Sequence, residues 1–140
     1  MSRGVKVKIF YSLFILSLCL SCQKSNSLAP DTLDGKTLRG QVTSSSGLFS
    51  GMTGYNFSTQ FLNEIQYQTR DNTGKIDSQG PYQYSKTSSR LAKLILTDSA
   101  SLHKGVKIEI TLKFTSSNGG TYDAKTLKGQ TGEQSGLFNL

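Results

Sequence analysis

The chain has 140 residues, 16 Lys and Arg against 9 Asp and Glu, a formal net charge of +7, two Cys, one His and no Trp. That length holds one ordinary domain; a (β/α)₈ barrel, which needs roughly 250 residues, does not fit. One imidazole and two thiols leave little material for metal clusters or paired-imidazole chemistry, while 14 Gly, 2 Pro, 7 Phe and 6 Tyr suit short strands joined by many turns.

In chain order, Arg3, Lys6 and Lys8 precede an apolar run from Ile9 to Leu20 that is interrupted by Ser12 and Ser17. A charged start before a short apolar run predicts a signal peptide over residues 1–21. As a helix the run rises about 18 Å, short of the roughly 30 Å of a bilayer core. The run ends Leu18-Cys19-Leu20-Ser21-Cys22-Gln23. This junction resembles the lipobox of bacterial lipoproteins, in which a small residue precedes the cysteine that is lipidated and becomes the mature N-terminus. The resemblance implies lipidation at Cys22, with Ser21 at the cleavage position; Cys19 follows the bulky Leu18. By the same resemblance, Gln23 in place of an Asp favours the outer membrane. The membrane is then a partner reached through the N-terminal lipid, since acyl chains anchor a protein without a spanning helix.

Cleavage before Cys22 leaves 119 residues with a single cysteine, so no internal disulfide forms and stability rests on packing. Removing the three N-terminal cations lowers the net charge to about +4. The remaining Lys and Arg are spread along the chain with no run of three, unlike a nucleic-acid-binding footprint. Residues 22–32 are polar and read as a tether. The folded domain is expected over 33–140.

From there the period is two. Runs near 37–43, 54–61, 64–70, 81–86, 90–97, 105–115, 121–128 and 134–139 predict about eight strands, with a break at Gly80-Pro81. The clearest places Val106, Ile108, Ile110, Leu112 and Phe114 on one face and Lys107, Glu109, Thr111, Lys113 and Thr115 on the other. Ser116-Ser117-Asn118-Gly119-Gly120 then turns the chain back in a hairpin. Short connections imply antiparallel neighbours. The expected fold is all-β, an up-and-down meander closing into a small barrel, with a two-sheet sandwich as the alternative. An internal repeat at an offset of 89 residues supports closure. Lys36-Thr37-Leu38-Arg39-Gly40-Gln41 returns as Lys125-Thr126-Leu127-Lys128-Gly129-Gln130, and Ser46-Gly47-Leu48-Phe49 as Ser135-Gly136-Leu137-Phe138. Similar ends suit one closing seam between the strand near Leu38 to Val42 and the terminal strand.

Leu33-Asp34-Gly35-Lys36, Gly80-Pro81-Tyr82-Gln83-Tyr84-Ser85-Lys86, Leu112-Lys113-Phe114-Thr115-Ser116 and Gly136-Leu137-Phe138 together resemble small secreted lipocalin-like or calycin-like β-domains. Without a Trp, the lipocalin Gly-x-Trp signature is not part of the match. Gly80, Tyr82, Lys86, Ala92 and Leu94 also follow the rhythm of the membrane-bound lysozyme inhibitors. These resemblances imply a binding or interaction module on the envelope, meeting an envelope protein, or carrying a small apolar ligand in the barrel, or inhibiting a cell-wall hydrolase.

No catalytic residue, metal ligand or cofactor is assigned. His103 lies in a turn-like stretch beside Lys104, and Asp71, Asp77, Asp98 and Asp123 fall mainly where loop carboxylates cap backbone. Phe57, Tyr82, Tyr84 and Phe114 are the candidate ligand-lining residues, with core packing as their alternative role.

Overall fold

The computed structural model describes residues 26–99 and 103–140. The predicted signal peptide, Cys19 and Cys22 lie outside the described residues.

Eight antiparallel strands follow one another around a closed barrel: β1 (Thr37–Gly47), β2 (Asn56–Phe61), β3 (Gln66–Arg70), β4 (Ile76–Lys86), β5 (Leu91–Thr97), β6 (Lys107–Ser116), β7 (Gly119–Lys128) and β8 (Gly132–Asn139). Every strand pairs with its sequence neighbours. The seam is made by β1 against β8, with Arg39 opposite Asn139, Gly40 opposite Phe138 and Gln41 opposite Leu137. Closure leaves no strand edge unpaired. The sandwich alternative does not form.

The period-two pattern maps directly onto inside and outside. Leu38, Phe61, Tyr67, Tyr82, Leu94, Leu112, Phe114, Tyr122 and Phe138 form a continuous buried core. The outer faces carry pairs such as Lys113–Asp123 at 2.7 Å and Glu109 held between Lys93 at 3.0 Å and Lys125 at 3.4 Å. Apolar inside and charged outside is the reverse of a membrane-embedded barrel, whose apolar band faces outward. Register shifts in β1 at Val42/Ser44 and at both ends of the β6–β7 pairing add the local twist that closing a small barrel requires.

Two expectations need correcting. Gly80-Pro81 is not a break: β4 begins at Ile76 and runs through both residues, with Gly80 opposite Tyr67 and Pro81 opposite Gln66. Gly80 is required there because a Cβ would overlap the Thr97 carbonyl oxygen. Asp77 and Asp123 stand on strands rather than in loops.

The two ends of the barrel differ. At the end where β1 starts, the N-terminal segment folds across the opening. Leu28 and Ala29 donate backbone hydrogen bonds to Ser89 at 2.8 and 2.9 Å. Ala29 and Leu33 are buried in the core, with Leu28 and Leu140 packed against it. Tyr84 donates to the Pro30 carbonyl at 2.7 Å, and Lys86 reaches Asp31 at 2.7 Å. Packing therefore already includes Leu28, Ala29 and Pro30, inside the stretch read as tether. At the opposite end no segment of the described residues crosses the opening, and the 48–55 loop leans over the rim.

Candidate functional site at the open end of the barrel

The inward positions nearest the open end are smaller and more polar than those below, so the core gives way there to a cup of about 100 Å³. Its floor and walls come from Phe57 and Thr59 on β2, Leu96 on β5, Ile108 and Ile110 on β6, and Tyr122 and Ala124 on β7. Phe49, Met52 and Tyr55 descend from the 48–55 loop. That loop is tied down by Val42 donating to the Tyr55 carbonyl at 2.9 Å and Gly54 donating to the Val42 carbonyl at 2.8 Å. Asp77 stands on the wall, exposed.

Below the cup the barrel is filled. A void of about 10 Å³ between Leu38, Phe61, Leu94 and Leu112 is at the threshold for a single water. Eight strands leave an interior just wide enough for side chains to occupy, and here they do.

Most polar groups on the inner wall are paired within the protein. The Thr59 and Thr69 hydroxyls share a hydrogen bond at 2.8 Å, and the Tyr67 and Ser78 hydroxyls another at 2.7 Å. Burial nevertheless pushes the Tyr67 phenol up to about 12, with the Ser78 bond pulling the other way. Among the described residues, two groups break the rule. The Tyr122 hydroxyl and the Gln134 Nε2 are buried without a hydrogen-bond partner. Both line the cup. Tyr122 is 2% exposed, and burial raises its phenol well above the usual value. Its ring stands edge-on to Phe57, with centroids 5.9 Å apart and planes at 86°.

No protein-family model matches the chain, and comparison with curated proteins and with solved structures gives no significant match. The site is therefore read from its own geometry.

Of the four residues expected to line a ligand, Phe57 lies on the cup wall. Tyr82, Tyr84 and Phe114 lie in the lower barrel, toward the closed end. Tyr82 donates to the Asn63 carbonyl at 2.8 Å and packs on Phe61, Tyr84 bonds Pro30, and Phe114 meets Phe138 edge-on at 5.1 Å. Gln134 was not among the candidates. Its signal was present: along β8 the inward positions are Gln134, Gly136 and Phe138, so a polar side chain occupies an inward slot.

Elsewhere the side chains offer less. His103 is exposed in a turn. The Asp71 carboxylate accepts from the Thr73 and Lys75 amides at 2.8 and 2.9 Å, which closes the β3–β4 turn. Among the described residues, no group of three or more His, Cys, Asp or Glu side chains is placed to hold a metal. Two larger depressions, of about 390 and 510 Å³, lie on the outer sheet face. The first is lined mainly by polar side chains; the second, between β1, β2 and β8, includes Phe57 and Leu137, and both are shallow and open to solvent.

Proposed function

We propose that the protein is a lipid-anchored, non-catalytic binding module of the bacterial cell envelope. In this reading Cys22 carries the lipid, the closed end of the barrel faces the membrane, and the cup opens away from it toward a small apolar ligand. The observation that carries the reading is the difference between the two ends: one is sealed by residues 28–33, while the other presents an apolar cup with two unpartnered polar atoms.

The anchor and the barrel fit together geometrically. Six residue steps separate Cys22 from Leu28, which span at most about 20 Å when extended. A lipid on Cys22 thus holds the sealed end close to the bilayer. The exposed Leu62 and Ile65, in the β2–β3 turn at that same end, are suited to touch it. Gln23 after the cysteine supports the outer membrane. A closed eight-stranded barrel with one open end is also the architecture that the lipocalin-like resemblance implies.

Two measurements test the reading. Cys22→Ser should abolish palmitate incorporation and release the protein from membranes; labelling lost only on Cys19→Ser would move the anchor. Native mass spectrometry of protein purified from its host should show a retained small molecule, released by Phe57→Ala. A single bare mass under gentle ionisation would count against the binding role.

A further inference from the structure

We infer that the cup receives an apolar group bearing a neutral carbonyl, whose oxygen accepts hydrogen bonds from the Tyr122 hydroxyl and the Gln134 Nε2. The inference rests on the reading of the open end as a binding site and specifies what that site takes.

The two orphaned atoms belong to one inward patch. Tyr122 is opposite Gly136 and Ala124 is opposite Gln134, so Tyr122 and Gln134 are diagonal neighbours across the β7–β8 pair. Nearly all buried polar groups in native proteins have a partner, and two orphans on one cavity wall mark where a partner arrives. An amide nitrogen only donates, and a phenol donates readily. Both residues line the one cup, and an occupant seated against these two donors is best served by an acceptor; a carbonyl oxygen with two lone pairs can meet both.

Charge and size narrow the class. Among the described residues no Lys or Arg lines the cup, and Asp77 stands on its wall. A carboxylate would leave water without a cation to meet it and would face a like charge. A plain hydrocarbon would fit the apolar wall of Phe57, Leu96 and Ile110 but leave both donors unmet. At about 100 Å³ the cup is well under the roughly 300 Å³ at which pockets enclose whole drug-sized ligands. It seats the carbonyl-bearing end of a molecule, and the remainder passes out over the rim.

Three probes of one shape separate these cases: cyclopentanone, cyclopentane and cyclopentanecarboxylate. They are titrated into ¹⁵N-labelled protein purified from its host, in nanodiscs if it is membrane-bound and in plain buffer if it is not, so failure of the lipid anchor leaves the assay intact. Cyclopentanone should shift the Gln134 side-chain amide and the backbone amides of residues 122–124 saturably, binding about tenfold more tightly than either other probe. Tyr122→Phe, which keeps the ring, should erase that preference while leaving the melting temperature unchanged or raised. Gln134→Met should erase it as well. Equal affinity for the ketone and the hydrocarbon would overturn the inference, as would a Tyr122→Phe protein that binds the ketone normally. Tightest binding of the carboxylate would overturn the carbonyl assignment yet leave the open end a binding site. No saturable shift with any probe would mean that water alone serves the two donors, which also overturns it.

Discussion

Gly40 and Gly136 face the inside of the barrel because aromatic rings occupy the room a side chain would take. A Cβ on Gly40 would collide with the Phe57 ring, and one on Gly136 would meet the Tyr122 ring and the Gln41 carbonyl. Both glycines thereby position the aromatic pair that forms one wall of the cup. Gly136→Ala should destabilise the domain by roughly 1–3 kcal/mol through overpacking and displace Tyr122, measured by urea unfolding and by the Tyr122 ring resonances. The inside–outside alternation is tested by truncating adjacent residues. Leu112→Ala empties a fully buried site and should cost about 2–5 kcal/mol, whereas Lys113→Ala loses one exposed pair with Asp123 and should cost less than about 1 kcal/mol. Charge enters at Glu109, where the bonded Lys93 ammonium, helped by Lys125, holds the carboxyl below its usual range. A lowered folded pKa lends stability that is present above the unfolded value of about 4.3 and is lost as pH falls through the folded one. Glu109→Gln should therefore flatten the acid limb of the stability–pH curve. The buried phenols act in the opposite direction. Tyr67 and Tyr84 are each pushed up to about 12, chiefly by burial, so stability should hold below about pH 10 and fall as pH rises through their folded values. The phenolate absorbance of these residues should appear together with unfolding.

Among the elements, the strands were legible because alternation and turn residues are local signals. Val106 to Thr115 announced both the faces and the length of β6, and Ser117-Asn118 its turn. Closure followed from the need to satisfy edges, and the β1–β8 pairing realises it. Phe49 and Phe138 of the 89-residue repeat are both buried, but its hexapeptide half has no matching structural role. Leu38 is 4% exposed inside β1 while its counterpart Leu127 is 48% exposed outside β7, so the same hexapeptide presents opposite faces. What local pattern could not convey was long-range: that Gly80 gives way to the Thr97 carbonyl, that residues 28–33 seal one end, and that Gln134 and Tyr122 meet across a pair. Deleting residues 134–140 should unfold the whole domain, because it opens two hydrogen-bonding edges and the core together. Amide exchange in the intact protein should be slow in both β1 and β8; rapid exchange throughout residues 37–43 would exclude a closed seam.

For the whole molecule, the decisive property is that its ends are unlike. If the sealed end faces a bilayer, vesicle binding should slow amide exchange in residues 62–65 and 87–90 and leave the rim turn at residues 71–75 unchanged. Uniform protection, or protection at the rim alone, would reverse the orientation. The plug has a mechanical side as well. The segment before the barrel enters the fold through Leu28 and Ala29, whose amides hold the Ser89 carbonyl, and only afterwards reaches Leu33 and β1. If Cys22 carries a lipid anchor, tension on it is borne first by this clasp, whose bonds are loaded at one point rather than along a strand ladder. Under a pull from such an anchor the clasp should yield early and lengthen the leash by the residues it releases, sparing the eight-stranded wall and letting the barrel reach farther from its point of attachment without unfolding.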